Sequence, residues 1–165
     1  MLAVLGEIER AGRSLLEIVG ATCLASMVDE TVIVTGASAD DASERFDVLR
    51  SAFPDVALRC LVNERWAEGR TGTIQAAWAS CPAGADLLVF PVDHPAVRLV
   101  TLDVLLGVHG YAAREPDILV PVTIVDEQRR RGHPVLLSHR LRDEVLSLRP
   151  DQPLHEVVHA RDASG

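Results

Sequence analysis

Asp93 ends the stretch Asp86-Leu-Leu-Val-Phe-Pro-Val-Asp-His-Pro95, in which an apolar run stops at a carboxylate and a His-Pro turn follows. In open α/β sheets, ligands bind outside the carboxyl ends of the strands. A carboxylate delivered there can hold Mg²⁺, which prefers one or two carboxylates together with substrate phosphates. A strand that merely ends in an Asp-containing turn gives the same pattern, so this stretch leaves both readings open.

Two further stretches carry chemistry-bearing residues. In Asn63-Glu-Arg-Trp-Ala-Glu-Gly-Arg-Thr-Gly-Thr-Ile74 a strand gives way to a helix. Gly69, Gly72 and the hydroxyls of Thr71 and Thr73 can present donors to an anion at the helix N-terminus, and Arg65 and Arg70 add positive charge. An ordinary strand-to-helix loop with threonine caps has the same composition. Arg130-Arg-Gly-His-Pro-Val135 reads as an exposed hairpin tip or as a loop brought to a ligand.

The elements that would position these residues follow from periodicity. Ser14-Leu-Leu-Glu17 is a capping box that starts a helix, with Leu15, Ile18, Val19, Thr22 and Cys23 as its apolar stripe. Thr31 to Gly36 reads as a buried strand with a glycine turn. Asp40 and Asp41 open a second helix, with Phe46, Leu49 and Phe53 inward and Pro54 after its end. Val56 to Val62 is a strand, Thr71 or Gly72 opens a helix to about Ser80, and Leu87 to Val92 is the third strand. Thr101 caps a helix through Tyr111. Ile118 to Val125 is a strand whose hairpin partner is Pro134 to Leu137. Two more helices are expected near Arg140 to Leu148 and Leu154 to Ala160, with a frayed tail from Arg161 to Gly165. Alternating helices and nearly continuous apolar strands predict an α/β fold: a mostly parallel sheet with helices on both faces.

Composition narrows the function. The 165 residues suit one domain, and 48% hydrophobic with 24% charged residues is a globular balance. A net charge of −8 and 4% aromatic residues argue against nucleic acid and against a membrane surface as partners. All sixteen basic side chains are arginine, so no Schiff-base lysine and no phosphate-binding lysine exists here. Cys23, Cys60 and Cys81 form no metal-binding spacing and read as free thiols in a reducing compartment. The first ten residues lack the layout of a secretory signal, and no apolar run could span a bilayer, so a cytoplasmic protein is expected.

Taken in order, Gly12-Arg-Ser-Leu-Leu-Glu17, Glu30-Thr-Val-Ile-Val-Thr-Gly36, the Asn63 stretch, Pro91-Val-Asp-His-Pro95 and Arg130-Arg-Gly-His-Pro-Val135 resemble the MobA-like nucleotidyltransferases. The molybdenum-cofactor cytidylyltransferase branch is especially similar, and the resemblance runs from about Gly12 to His159. It implies a Rossmann-like fold of the nucleotide-diphospho-sugar transferase type. It also implies Mg²⁺-dependent transfer of CMP or GMP from CTP or GTP to a molybdopterin-type acceptor. By the same resemblance Asp93 matches the metal-binding aspartate. Asn63, Gly69, Thr71, Gly72 and Thr73 fall around the nucleotide, and His94, Gly132, His133 and Pro134 lie on the acceptor side.

Departures from the family pattern bear on activity. The family's first strand, its glycine-rich loop and the following lysine have no counterpart: Met1 to Gly6 is at most a strand stub, and Glu7, Ile8, Glu9 and Arg10 form a poor phosphate cradle. His94 stands where the family has Gln, and Val92 where it has Gly. The later metal-binding aspartate has only Asp151 and Asp162 as uncertain counterparts. Impaired transfer is therefore expected. The alternative is a non-catalytic relative that binds a nucleotide or a partner and assists cofactor maturation; a sugar-nucleotide enzyme is a third reading. An unfilled strand position would leave a groove for a protein partner or a second copy.

Overall fold

The computed structural model describes residues 12–37, 39–111 and 116–157, with backbone alone at 39–41. The expected strand stub at Met1 to Gly6, the 7–11 stretch, the side chains of Asp40 and Asp41, the end of the last expected helix, the tail and Asp162 lie outside the described residues.

Helix α1 (Leu15–Leu24) starts as the capping box requires: Glu17 N donates to Ser14 Oγ at 3.2 Å, and the Glu17 carboxylate accepts from Ser14 N. Its inward residues are Ile18, Val19 and Leu24, whereas Leu15, expected in the stripe, is exposed. Strand β1 (Glu30–Thr35) runs parallel to β2 (Ala57–Val62), with Ile33 opposite Cys60, and α2 (Ala39–Ala52) connects them. Leu24, Ile33 and Leu49 form a buried cluster under α1 and α2, edged by Phe46, Phe53 and Leu58. A Cβ at Gly20 would lie 2.6 Å from Leu49 Cδ1, so the glycine lets α1 and α2 approach closely.

Helix α3 (Arg70–Ala79) follows a single 3₁₀ turn at Trp66–Glu68. Strand β3 (Leu87–Val89) then stops short of the expected Val92, because Pro91 has no N–H to continue a ladder. Helix α4 (Leu99–Tyr111) begins two residues before Thr101. The rest of the chain comprises β4 (Ile118–Leu119), β5 (Val122–Val125), β6 (Gln128–Arg131), β7 (Val135–Leu137), a 3₁₀ turn at His139–Leu141 and α5 (Arg142–Leu146). The second core lies here: Trp78, Val135, Leu137, Leu141 and Val145 are buried together, and Trp78 Nε1 donates to Ala85 O at 2.9 Å.

The sheet departs from the expected mostly parallel arrangement. Among the described residues β1 and β2 are parallel, but β7 lies between β3 and β4 and is antiparallel to both. The cause is the connection. A parallel return requires a crossover, commonly a helix, whereas β4 is followed by the β5–β6 hairpin, which sends the chain back in the opposite sense. The single strand expected over Ile118 to Val125 is therefore two. Its first part pairs with β7 as expected, but Val122–Val125 pairs with Gln128–Arg131.

Candidate functional site

The turn after β3, in which His94 N donates to Pro91 O at 3.3 Å, brings Asp93 and His94 out at the strand's carboxyl end. Asp93 Oδ1 lies 2.8 Å from His94 Nδ1, and the Asp93 side chain is otherwise largely exposed. The loop after β6 brings His133 to the same place, and its ring meets that of His94 edge-on, with centroids 4.4 Å apart. Gly132 N donates to Pro121 O at 2.9 Å, fixing the base of this loop, and Pro134 is fully buried behind it. Asp93, His94 and His133, singled out separately in the sequence, thus form one cluster.

Electrostatics tie Arg70, the first residue of α3, to this cluster. The hydrogen bond from His94 holds the Asp93 carboxyl below the usual aspartate value; the charges of His94 and Arg70 act in the same direction, against a smaller opposing effect of burial. Burial pushes His133 down, the nearby His94 and Arg70 push it further, and Asp93 opposes them. His133 Nδ1 is buried with no partner among the described residues, which also disfavours a protonated ring. Asp93 is therefore an anion and His133 a neutral imidazole near pH 7.

The Asn63 stretch builds the neighbouring corner. Asn63 is buried at the end of β2. Its backbone N donates to Thr35 O at 2.8 Å, its Nδ2 to Thr73 Oγ1 at 3.1 Å, and its Oδ1 accepts from Arg65 N at 3.1 Å. One residue, through its backbone and its side chain, thus joins the ends of β1 and β2 to the first turn of α3. Gly36, at the end of β1, is covered by Trp66, whose Cβ would lie 2.6 Å from an added Cβ there.

Gly69, Thr71 and Gly72, expected around a nucleotide, make contacts with the segment after α5. Thr71 is buried and donates its hydroxyl to Gln152 O at 2.6 Å. Gly69, at φ 144°, packs on the Pro150 carbonyl, and Gly72 faces the Pro150 ring. In this structure these three residues dock the segment after α5 onto α3. Gln75, which sequence reasoning missed, completes the dock: its Nε2 donates to Val145 O at 2.9 Å and to Leu148 O at 2.8 Å, satisfying carbonyls at the end of α5. The N-terminus of α3 receives no side-chain cap, and the partial positive charge of its first turn is left to the surrounding backbone.

Sequence reasoning also missed Asp86. It accepts from His139 N at 2.7 Å, lies 2.9 Å from His139 Nδ1, and reaches His109 Nε2 at 2.9 Å. This latch sits at the start of β3, away from the Asp93 end. A lone histidine in the apolar helix α4 was the available signal.

Among the described residues no group of three or more His, Cys, Asp or Glu side chains is arranged to hold a metal ion. Asp93 alone, ionised and exposed with Oδ1 already engaged, suits a cation held mainly by phosphate oxygens. No helix among these residues is long and apolar enough to cross a membrane.

Comparison with known proteins bears on the family and the fold. The sequence profile of the MobA-like NTP transferase domain matches residues 6–164. Among solved structures, Rv0371c from Mycobacterium tuberculosis H37Rv in complex with manganese is similar, with a TM-score of 0.64 and 19% identity over 88% of this chain and 70% of that one. A second structure of Rv0371c gives a TM-score of 0.65 and 18% identity, over 88% and 68%. At these identities the likeness concerns the fold. No curated protein matches the chain in sequence.

Proposed function

The chain belongs to the MobA-like NTP transferase family, and from that premise we propose that it binds a nucleoside triphosphate with a divalent cation at Asp93 and transfers its nucleotidyl group slowly. The nucleotide is CTP or GTP, the cation Mg²⁺, and the acceptor a molybdopterin-type pterin. The observation that carries this reading is the meeting of Asp93, His94 and His133 at the carboxyl end of β3, within reach of Arg70's charge.

Each residue has a part in this mechanism. Asp93 is the anionic ligand, and His94 orients it through the 2.8 Å contact at Oδ1, leaving Oδ2 for the cation. The cation would neutralise phosphate charge as pyrophosphate departs. Arg70 and the uncapped first turn of α3 add positive potential for the phosphates. His133, held neutral, can accept a proton from an acceptor without competing for the anion. Asn63 keeps the α3 turn fixed to the strand ends, so these donors are preorganised.

Slow transfer follows from the cations present. With no lysine in the sequence, the basic side chains that can meet charge developing on pyrophosphate are arginines. Loss of one preorganised donor typically lowers a rate about 10²–10³-fold. The docking of Gly69, Thr71 and Gly72 against Pro150 and Gln152 favours the companion reading, in which nucleotide binding outlasts turnover and the protein assists cofactor maturation.

The test is pyrophosphate release from CTP, GTP and ATP with Mg²⁺ and a molybdopterin-type acceptor. Slow release that depends on acceptor and on Asp93 is expected. Release at the rate of a family member that has the glycine-rich loop and lysine would contradict slow transfer, and no nucleotide binding at all would contradict the whole reading.

A further inference from the structure

The β5–β6 hairpin forms a separate two-stranded sheet, and all eight of its strand residues are exposed. Ile124 is 72% exposed. A lone hairpin of this size is marginally stable in water, and an exposed hairpin with an apolar face usually meets something. The register puts Val122 opposite Arg131 and Ile124 opposite Arg129. Directly opposed residues share a face, so Val122, Ile124, Arg129 and Arg131 make one side of the arm, apolar along one strand and basic along the other.

The complementary surface is on α2. Glu44, Asp47, Val48, Ser51 and Ala52 line a shallow depression along one side of that helix. Their spacing sets two carboxylates beside two small apolar side chains, with Val48 47% exposed. Arg50, in the last turn of α2, is exposed and has the charge opposite to that of the arm tip, Asp126 and Glu127. All strand residues of the arm are exposed in the chain by itself.

We propose that the β5–β6 arm docks on α2 of a second copy of this chain, with Ile124 against Val48 and Ala52 and with Arg129 paired to Asp47. A symmetric dimer makes this contact twice and closes the assembly. The base of each arm is Gly132 and His133, so pairing also steadies the loop that carries His133. This inference does not depend on the nucleotide reading.

The test uses the intact chain in sedimentation velocity, with Arg129→Glu and Asp47→Arg as charge reversals. The parent is expected to dimerise with rising concentration. Each variant alone opposes like charges at both contacts, and its dimer should weaken about tenfold or more. In a mixed dimer of the two variants, the reversed charges face each other at one contact, and the other contact keeps the parent pair of Arg129 and Asp47. The mixture should therefore recover the dimer. Ile124→Asp should dissociate the dimer while circular dichroism stays that of the parent. A parent that is monomeric at every concentration, or a dimer that survives all three substitutions, overturns the proposal. So does a mixture that stays monomeric while both variants are folded.

Discussion

At the carboxyl end of β3 an anionic Asp93, paired with His94, sits beside a neutral His133 ring. Burial lowers the His133 pKa below its ordinary value of 6.5, so protonation favours the unfolded chain in the window just below that value. The protein should therefore lose stability as pH falls from about 7 through that window, and His133→Gln should flatten the loss. Urea denaturation of both proteins at stepped pH measures this, and equal slopes would mean that His133 is not desolvated as described. His133→Ala should leave nucleotide binding intact while altering any response to the acceptor; loss of fold stability instead would make His133 a packing residue. All three side chains were legible in the sequence because a proline or glycine punctuates the chain close to each. The docking role of the Thr71 loop was not, because its partners at Pro150 and Gln152 lie far along the chain, Gln152 being 81 residues from Thr71.

Helices were more legible than strand pairing. The Ser14 capping box located α1, and the Phe46, Leu49 and Phe53 spacing located α2. The β5–β6 hairpin was not legible because its two-residue turn is Asp126-Glu127, at φ 50° and 63°, where such turns usually carry glycine. Without that signal, a run from Ile118 to Val125 reads as one strand. Two predictions belong at this scale. Gly69→Ala should destabilise by about 1–3 kcal/mol, since the site has φ 144° and the new methyl runs into the Pro150 carbonyl. Chemical denaturation would show it, and an unchanged midpoint would mean that the segment after α5 is loosely held. Asp86→Ala should cost about 2–3 kcal/mol, because it leaves His109 buried without its partner and frees His139. Burial would raise the Asp86 carboxyl, but hydrogen bonds from His139 and His109 bring it below 3.8 overall. Its contribution is thus present above that value and lost as pH falls through the lower folded value. Acid denaturation should consequently begin at higher pH in the variant.

The described residues form two cores, one under β1 and β2 and one around Trp78, with the Asn63 corner joining them through α3. In this layout the proposed metal and nucleotide binding is separable from folding. Asp93 is exposed and contributes to neither core, whereas Trp78→Ala should cost about 3–5 kcal/mol. On the proposed function, Asp93 supplies the metal-dependent part of nucleotide binding. Calorimetric titration of CTP, GTP and ATP, with and without Mg²⁺, against the parent and Asp93→Ala tests it most directly. The account predicts weak binding that Mg²⁺ strengthens in the parent, and loss of that strengthening in a variant that remains folded. Equal strengthening by Mg²⁺ in both proteins would contradict it and leave Asp93 a turn residue.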